Sequence, residues 1–448
     1  MSEDPSVAGV SSGSLTPTPD LSPAPPPAAG RPSSNLSPET GWRRAGCFIL
    51  LLVALHVVVG PKARLSEWRV DATVNPSFAE ATAWRSGRLD LDKRMHDTAL
   101  IGGRVYNVYP PLFTFISYAA LAGRDLNLWV MGRMGIEPPD ASDAVSFPTS
   151  WLVGLVALPL VAMGFWALGR ATGRSAWAAL LCFGWIAGTP VIACLATARG
   201  GSINHINHLL SQTGLMLIAA ALLGRRRLAL ALVGLIIAVW SRPLTVAFVL
   251  PILWAAWRWD ATLRQRRLIA AAAALVLAIG APMTLNGLKF GSPFDTGYAY
   301  IYAERTDELA ERGRASLFSP SYAKRNAWYM NLEMPGWEVG SFGIRPVLDS
   351  HGAGIWFTTP LLLFAIFGVR HWWADRTRRW LMLGSLPVIV GILCYHNTGY
   401  VQPGYYRFVL DFLPIWLVVI APLTVGDVRS RLALGAVAWS ALYFNLIT

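Results

Sequence analysis

Asp71, Glu80, Asp90, Asp92, His96 and Asp97 fall between residues 71 and 97 of a chain that is only 14% charged. Carboxylates and an imidazole gathered in one polar stretch can accept a proton, orient a hydroxyl or amine nucleophile, or ligate a divalent cation. That stretch runs from Trp68 to Pro111 and is the first long polar segment after the first apolar run. A second group lies in ARGGSINHINHLLSQTG at 198–214, where Arg199, Asn204, His205, Asn207, His208 and Gln212 interrupt otherwise apolar sequence. His205 and His208 are three apart and so share one helical face. Two arginines stand in apolar surroundings: Arg242 in WSRPLT, and Arg407 in GYYRFVLDFLP, four residues before Asp411. Displacing a phosphate needs cationic compensation for the charge that develops, which arginines at such places could supply.

The elements that must hold these groups are membrane helices. The chain has 448 residues, is 54% hydrophobic and carries 20 Trp, with apolar runs of about twenty residues recurring along most of its length. Such runs lie near 44–60, 150–169, 175–197, 207–223, 228–241, 243–257, 268–288, 352–369, 380–396, 405–425 and 431–447. An all-α polytopic membrane protein of about 11 transmembrane helices is expected. Two long outer loops, 61–149 and 289–351, would join them. Residues 1–42 are rich in Pro, Ser, Ala and Gly and should form a disordered cytoplasmic tail, leaving 43–448 as the membrane domain. The first apolar run follows Trp42, Arg43 and Arg44, as in a signal anchor rather than a cleaved signal peptide.

The net charge of +12 has its explanation in this topology. With the tail inside, arginines collect in the short inner loops, whereas the short outer ones hold only Arg199 and Arg242. No nucleic-acid partner is expected. The four cysteines sit in or beside apolar runs and suggest neither a disulfide framework nor a zinc cluster. The apolar segment 109–123 is short, and a full crossing there would invert every later loop, so it reads as a re-entrant or interfacial helix opened by Pro110 and Pro111. The aromatics of the second outer loop, among them Tyr298, Trp328 and Trp337, suit either an interfacial belt or a sugar-stacking platform.

In order along the chain stand an acid soon after the first span, a helix expected over FAEATAWRSGRLDL, then HDTALIGGRVYNVYPP, WSRPLT, LKFGSPFDTGY, GAGIWFTTPLLL and GYYRFVLDFLP. This series resembles the GT-C superfamily of integral-membrane glycosyltransferases, nearest the dolichyl-phosphate-mannose mannosyltransferase and aminoarabinose-transferase-like group. The resemblance implies inverting transfer of a sugar from a polyprenyl-phosphate donor at the outer face of a cell (plasma or inner) membrane. The acceptor would be a protein, a lipid or a cell-envelope glycan. By position, Asp71 matches the family's first-loop acid, which serves as base or orients the acceptor; it is followed here by Ala72.

Several of the remaining candidates keep more than one reading. His96 and Asp97 could bind a divalent metal or the leaving phosphate, or simply hold the loop. His205 and His208 could complete a metal site, line the cavity, or bind helix to helix. Arg242, Arg407, Arg199, Asn204 and Tyr109 are the donor-phosphate or substrate-binding candidates, although Arg407 could instead pair with Asp411 along a helix face. Lys289, Arg325 and Arg345 are further cations on the second outer loop. The competing function is a transporter or flippase of a lipid-linked or anionic substrate, or a noncatalytic scaffold of the same fold.

Overall fold

The structure, a computed structural model, describes residues 41–63, 70–71, 75–137, 146–147, 153–198, 202–224, 227–259, 261–303, 305–340, 343–347, 353–397 and 404–448. The expected N-terminal tail lies outside them, except at its end, where α1 (Gly41–Val58) begins. The described chain is mostly helical, with three short antiparallel strand pairs. Among the described residues five helices are long and apolar enough to cross a membrane. They are α1, Gly154–Thr172 (which ends as α4, Leu158–Thr172), α7 (Ile203–Leu223), α10 (Arg264–Phe290) and α15 (Asp427–Ile447). They become six if α5 (Ser175–Ala187) and α6 (Pro190–Ala198), bent by 59° at Gly188 and Thr189, form one broken span.

α7 is the centre of the bundle, with 94% of its apolar window buried, whereas α1 and α10 bury 11% and turn most of their surface outward. α7 packs closely on α8 (Leu228–Ser241), because Gly214 and Gly234 let the two backbones meet. A Cβ at Gly214 would stand 2.6 Å from the Gly234 carbonyl oxygen. Apolar segments elsewhere are shorter and broken. Beyond α8, a 3₁₀ turn (Pro243–Phe248) leads into α9 (Val249–Arg258). Near the C-terminus, α13 (Arg376–Leu393) is followed by a 3₁₀ turn (Arg407–Asp411) and α14 (Leu413–Ile420).

The polar segment after α1 folds on this bundle. α2 (Pro76–Arg85) is capped by Asn75, whose Oδ1 accepts from the amides of Ser77 and Phe78, each at 3.0 Å. The helix expected over 78–91 stops at Arg85, because Ser86 leads into Gly87 in the left-handed region. Strands β2 (Thr98–Ile101) and β3 (Arg104–Asn107) form a hairpin whose turn, Gly102-Gly103, has φ of 56° and 80°, as a two-residue type I′ connection requires. β1 (Val70–Asp71) pairs with β4 (Ser146–Phe147).

After Pro110 and Pro111 comes α3 (Leu112–Arg133), starting as expected but running 22 residues rather than ending near 123. The apolar run stops at Arg124, yet RDLNLWVMGR holds good helix formers and no proline, so the backbone continues. Phe115 of α3 lies between Trp84 of α2 and Trp240 of α8, with centroids 5.2 Å from each. Leu126, Trp129 and Met134 at the far end stay exposed.

Candidate functional site

A buried brace positions the polar segment after α1. Glu80 of α2 forms an ion pair with Lys289 at the end of α10. Glu80 is fully buried and Lys289 nearly so. Glu80 Oε2 also accepts from Asn107 Nδ2 at 2.7 Å and Thr114 Oγ1 at 2.8 Å, and Lys289 Nζ donates to the Asn107 carbonyl at 3.0 Å. Every charge that the fold takes out of water here has a hydrogen-bonded partner, which such burial requires. Lys289, a candidate cation for the substrate, is thereby committed to structure.

Asn107 passes that order on. Its Oδ1 accepts from the amide of Tyr109 at 3.0 Å, and the Tyr109 hydroxyl donates to Asp97 Oδ2 at 2.8 Å. Asn204, in the first turn of α7, donates to the same oxygen at 3.3 Å, and His96 Nδ1 lies 3.3 Å from it. Three groups thus converge on Oδ2, and Oδ1 has no hydrogen-bond partner among the described residues. Asp97 is also the one non-glycine with positive φ among the described residues, at 57°, held by a turn in which the Thr98 hydroxyl donates to the Met95 carbonyl. A strained backbone around a half-anchored carboxylate is a pattern of functional sites. Burial by itself would push the Asp97 carboxyl up, but the hydrogen bond and charge of His96, with the bonds from Tyr109 and Asn204, hold it below the ordinary value. His96, with its side chain 84% exposed, is raised by its hydrogen bond to Asp97 and then by the Asp97 charge.

One turn further along α7 lies a second group. Asp411, fully buried, accepts from Arg242 Nε at 3.0 and 3.2 Å and from Nη2 at 2.9 Å, and His208 Nδ1 lies 3.1 Å from its Oδ1. The anion partner that Arg242 requires is therefore Asp411. The alternative pairing of Arg407 with Asp411 does not form. Residues 407–411 are 3₁₀, so positions four apart do not stack as they would in an α-helix. Arg407 is 5% exposed, its Nε has no hydrogen-bond partner among the described residues, and no described acid pairs with it. Both guanidinium groups lie 5.4 Å from the centroid of Phe408, and the Arg407 charge reaches Tyr109, Tyr298 and His205. A buried cation that pairs with no acid among the described residues is the electrostatic complement of a bound anion.

α7 adds hydrogen-bonding capacity between them. His205 Nε2, both amide atoms of Asn207, His208 Nε2, Ser211 Oγ and Gln212 Nε2 are buried without a partner among the described residues. His205 Nδ1 lies 2.6 Å from Ser202 Oγ, and Gln212 Oε1 accepts from Trp185 Nε1 at 2.9 Å. Each group left unpaired costs about 1–3 kcal/mol, so this seam gains most from a hydroxyl-bearing ligand or water.

The sequence candidates divide accordingly. Asp97, His96, Tyr109 and Asn204 come together, as do Arg242 and His208, with Arg407 and His205 beside them. Asp71 has a described backbone in β1, but its side chain lies outside the described residues, as does Arg199. Arg345 is placed by backbone alone in a β-hairpin (Gly336–Gly340 with Gly343–Val347), and Arg325 pairs with surface Glu308 at 2.7 Å. No group of three or more His, Cys, Asp or Glu is placed to hold a metal among the described residues. His96 Nδ1 and His208 Nδ1 instead face carboxylates, and two arginines crowd the His205–His208 pair. Sequence reasoning named Tyr298 only as a loop aromatic, and it missed Tyr395, which like Tyr298 lies within electrostatic reach of Arg242 and Asp97, and the role of Asp411 toward Arg242. Their distance from the site in sequence gave no signal.

Comparison of the chain with models of known families, with curated proteins and with solved structures returned no match.

Proposed function

We propose that the chain is a glycosyltransferase that moves a sugar from a polyprenyl-phosphate donor to a protein, lipid or envelope-glycan acceptor at the outer face of a cell membrane. The observation that carries this reading is the buried Arg407, which pairs with no acid among the described residues and whose charge reaches Tyr109, the residue that donates to one oxygen of Asp97. A first-loop carboxylate, Asp71 or Asp97, takes the proton of the acceptor hydroxyl or amine. The acceptor atom bonds to the anomeric carbon while the carbon–oxygen bond to phosphate breaks, and the electron pair leaves on the phosphate oxygen. Arg407 meets the added charge, Arg242 shares in it to the extent that Asp411 allows, and a single displacement inverts the anomeric centre. The seam on α7 offers donors and acceptors to sugar hydroxyls.

In this reading about eleven segments cross the membrane, the tail is cytoplasmic, and the broken stretches 352–369 and 405–425 count as crossings. A divalent metal would be the one cofactor to test. The bend between α5 and α6, beside a polar helix, favours a second reading, a transporter or flippase of a lipid-linked anion.

Transfer of labelled sugar from a panel of polyprenyl-phosphate sugars to membrane acceptors tests the proposal. Transfer that needs the donor and is lost in Asp71→Asn or Asp97→Asn supports it. No transfer from any donor, with donor-dependent flux across liposomes, replaces it with the transporter.

A further inference from the structure

The far end of α10 carries a feature unrelated to sugar transfer. At about 1.5 Å per residue, this 27-residue helix places Arg264 some 40 Å from the Lys289 brace, the depth of a bilayer with its headgroups. There, α9 and α10 flank a shallow groove of about 600 Å³, largely open to the outside, lined by Trp257, Arg264, Gln265, Leu268, Ile269 and Ala272. The Arg264 guanidinium lies 4.4 Å from the Trp257 ring centroid and its Nε donates to the Trp257 carbonyl at 3.1 Å, so the cation is fixed at the rim. Between residues 258 and 267 stand Arg258, Arg264, Arg266 and Arg267 against the single acid Asp260. Neither Arg258 nor Arg266 has a partner among the described residues, and both are exposed.

The floor of the groove continues as an apolar strip. Ile269, Ala272, Val276 and Ile279 recur at three- and four-residue spacing along one face of α10, and all four are exposed, Val276 by 71%. A cationic, aromatic rim that opens onto an apolar strip running into the membrane matches one chemistry: a phosphate headgroup with an acyl chain below it. A free phosphate would use the rim and leave the strip uncovered, and a neutral headgroup would leave Arg258 and Arg266 without a counter-charge among the described residues.

We propose that this groove is a binding site for an anionic phospholipid, its phosphate on Arg264 and Arg266 beside Trp257 and its acyl chain along Ile269, Ala272 and Val276. The site is independent of the reading of the catalytic centre, since it lies a membrane's depth away.

The purified full-length chain, reconstituted in nanodiscs of phosphatidylglycerol or phosphatidylcholine, tests it by native mass spectrometry of retained lipid. Phosphatidylglycerol should be retained preferentially, and Arg264→Gln/Arg266→Gln should weaken that retention roughly thirtyfold, from about 1 kcal/mol per arginine. A photoactivatable phosphatidylglycerol, used on the unaltered chain, should crosslink within peptides covering 257–279 and resist competition by inorganic phosphate. Equal retention of the two lipids, crosslinks confined to other segments, or a dimer that covers the groove without lipid would each overturn the proposal.

Discussion

Lys289 and Glu80, more than two hundred positions apart, form a buried ion pair that fastens the polar segment after α1 to the end of α10. The pair lies two hydrogen bonds behind Tyr109, through Asn107. It therefore sets where Tyr109, and with it Asp97, stands.

Removing one partner of this pair should be costly. Lys289→Met alone leaves a buried carboxylate and is expected to destabilise by about 3–5 kcal/mol, whereas Glu80→Leu/Lys289→Met should recover most of that loss. Thermal melting in one detergent across the three proteins measures it. A single variant as stable as the double one would show that Glu80 finds water.

The two arginines beside Phe408 should behave differently. Arg242→Ala strands Asp411 in the core and should lower stability by about 3–5 kcal/mol, and Arg242→Ala/Asp411→Asn should restore part of it. Arg407→Ala removes a cation with no acid partner among the described residues, so it should fold at least as well as the parent while weakening donor use about tenfold or more. Comparing melting temperature with donor KM separates the two; similar instability in both variants would place Arg407 in the structural network.

Transfer should depend on the first-loop carboxylates by about a hundredfold or more where one is the proton acceptor. Asp97→Asn keeps the hydrogen bonds from Tyr109 and Asn204 but loses the charge. Unchanged kcat in that variant, with a large loss in Asp71→Asn, would assign the proton to Asp71.

The His96–Asp97 pair predicts a pH window. Asp97, held below its ordinary value, contributes stability above about 3.9, the unfolded carboxylate value, and loses it as pH falls through its lower folded value. His96, held above its ordinary value, contributes fully below about 6.5 and loses it as pH rises through the higher folded value. The destabilisation caused by His96→Gln should thus be largest between about pH 4 and 6.5 and should fade in alkaline buffer. Melting of both proteins across that range checks it; a constant difference would mean that the contact is not ionic.

The membrane class and the helical fold were legible because apolar runs of bilayer length leave little choice of structure. The polar stretch 71–97 was equally visible, and Asp97, His96, Tyr109 and Asn204 meet there. Pairings across long separations were not. Nothing local ties Arg242 to Asp411 or Glu80 to Lys289, and the four-residue spacing of Arg407 and Asp411 misled because the segment is 3₁₀. The length of α3 escaped for a simpler reason: hydropathy marks where a membrane could end, whereas helix propensity decides where the backbone does.

At φ 57°, position 97 favours few residues: glycine adopts it freely, and asparagine, aspartate and histidine far better than the rest. Of the two acids aspartate suits it better. Backbone geometry thus disfavours glutamate at this point of the chain by about 1–2 kcal/mol, apart from any difference in the chemistry its longer side chain could perform.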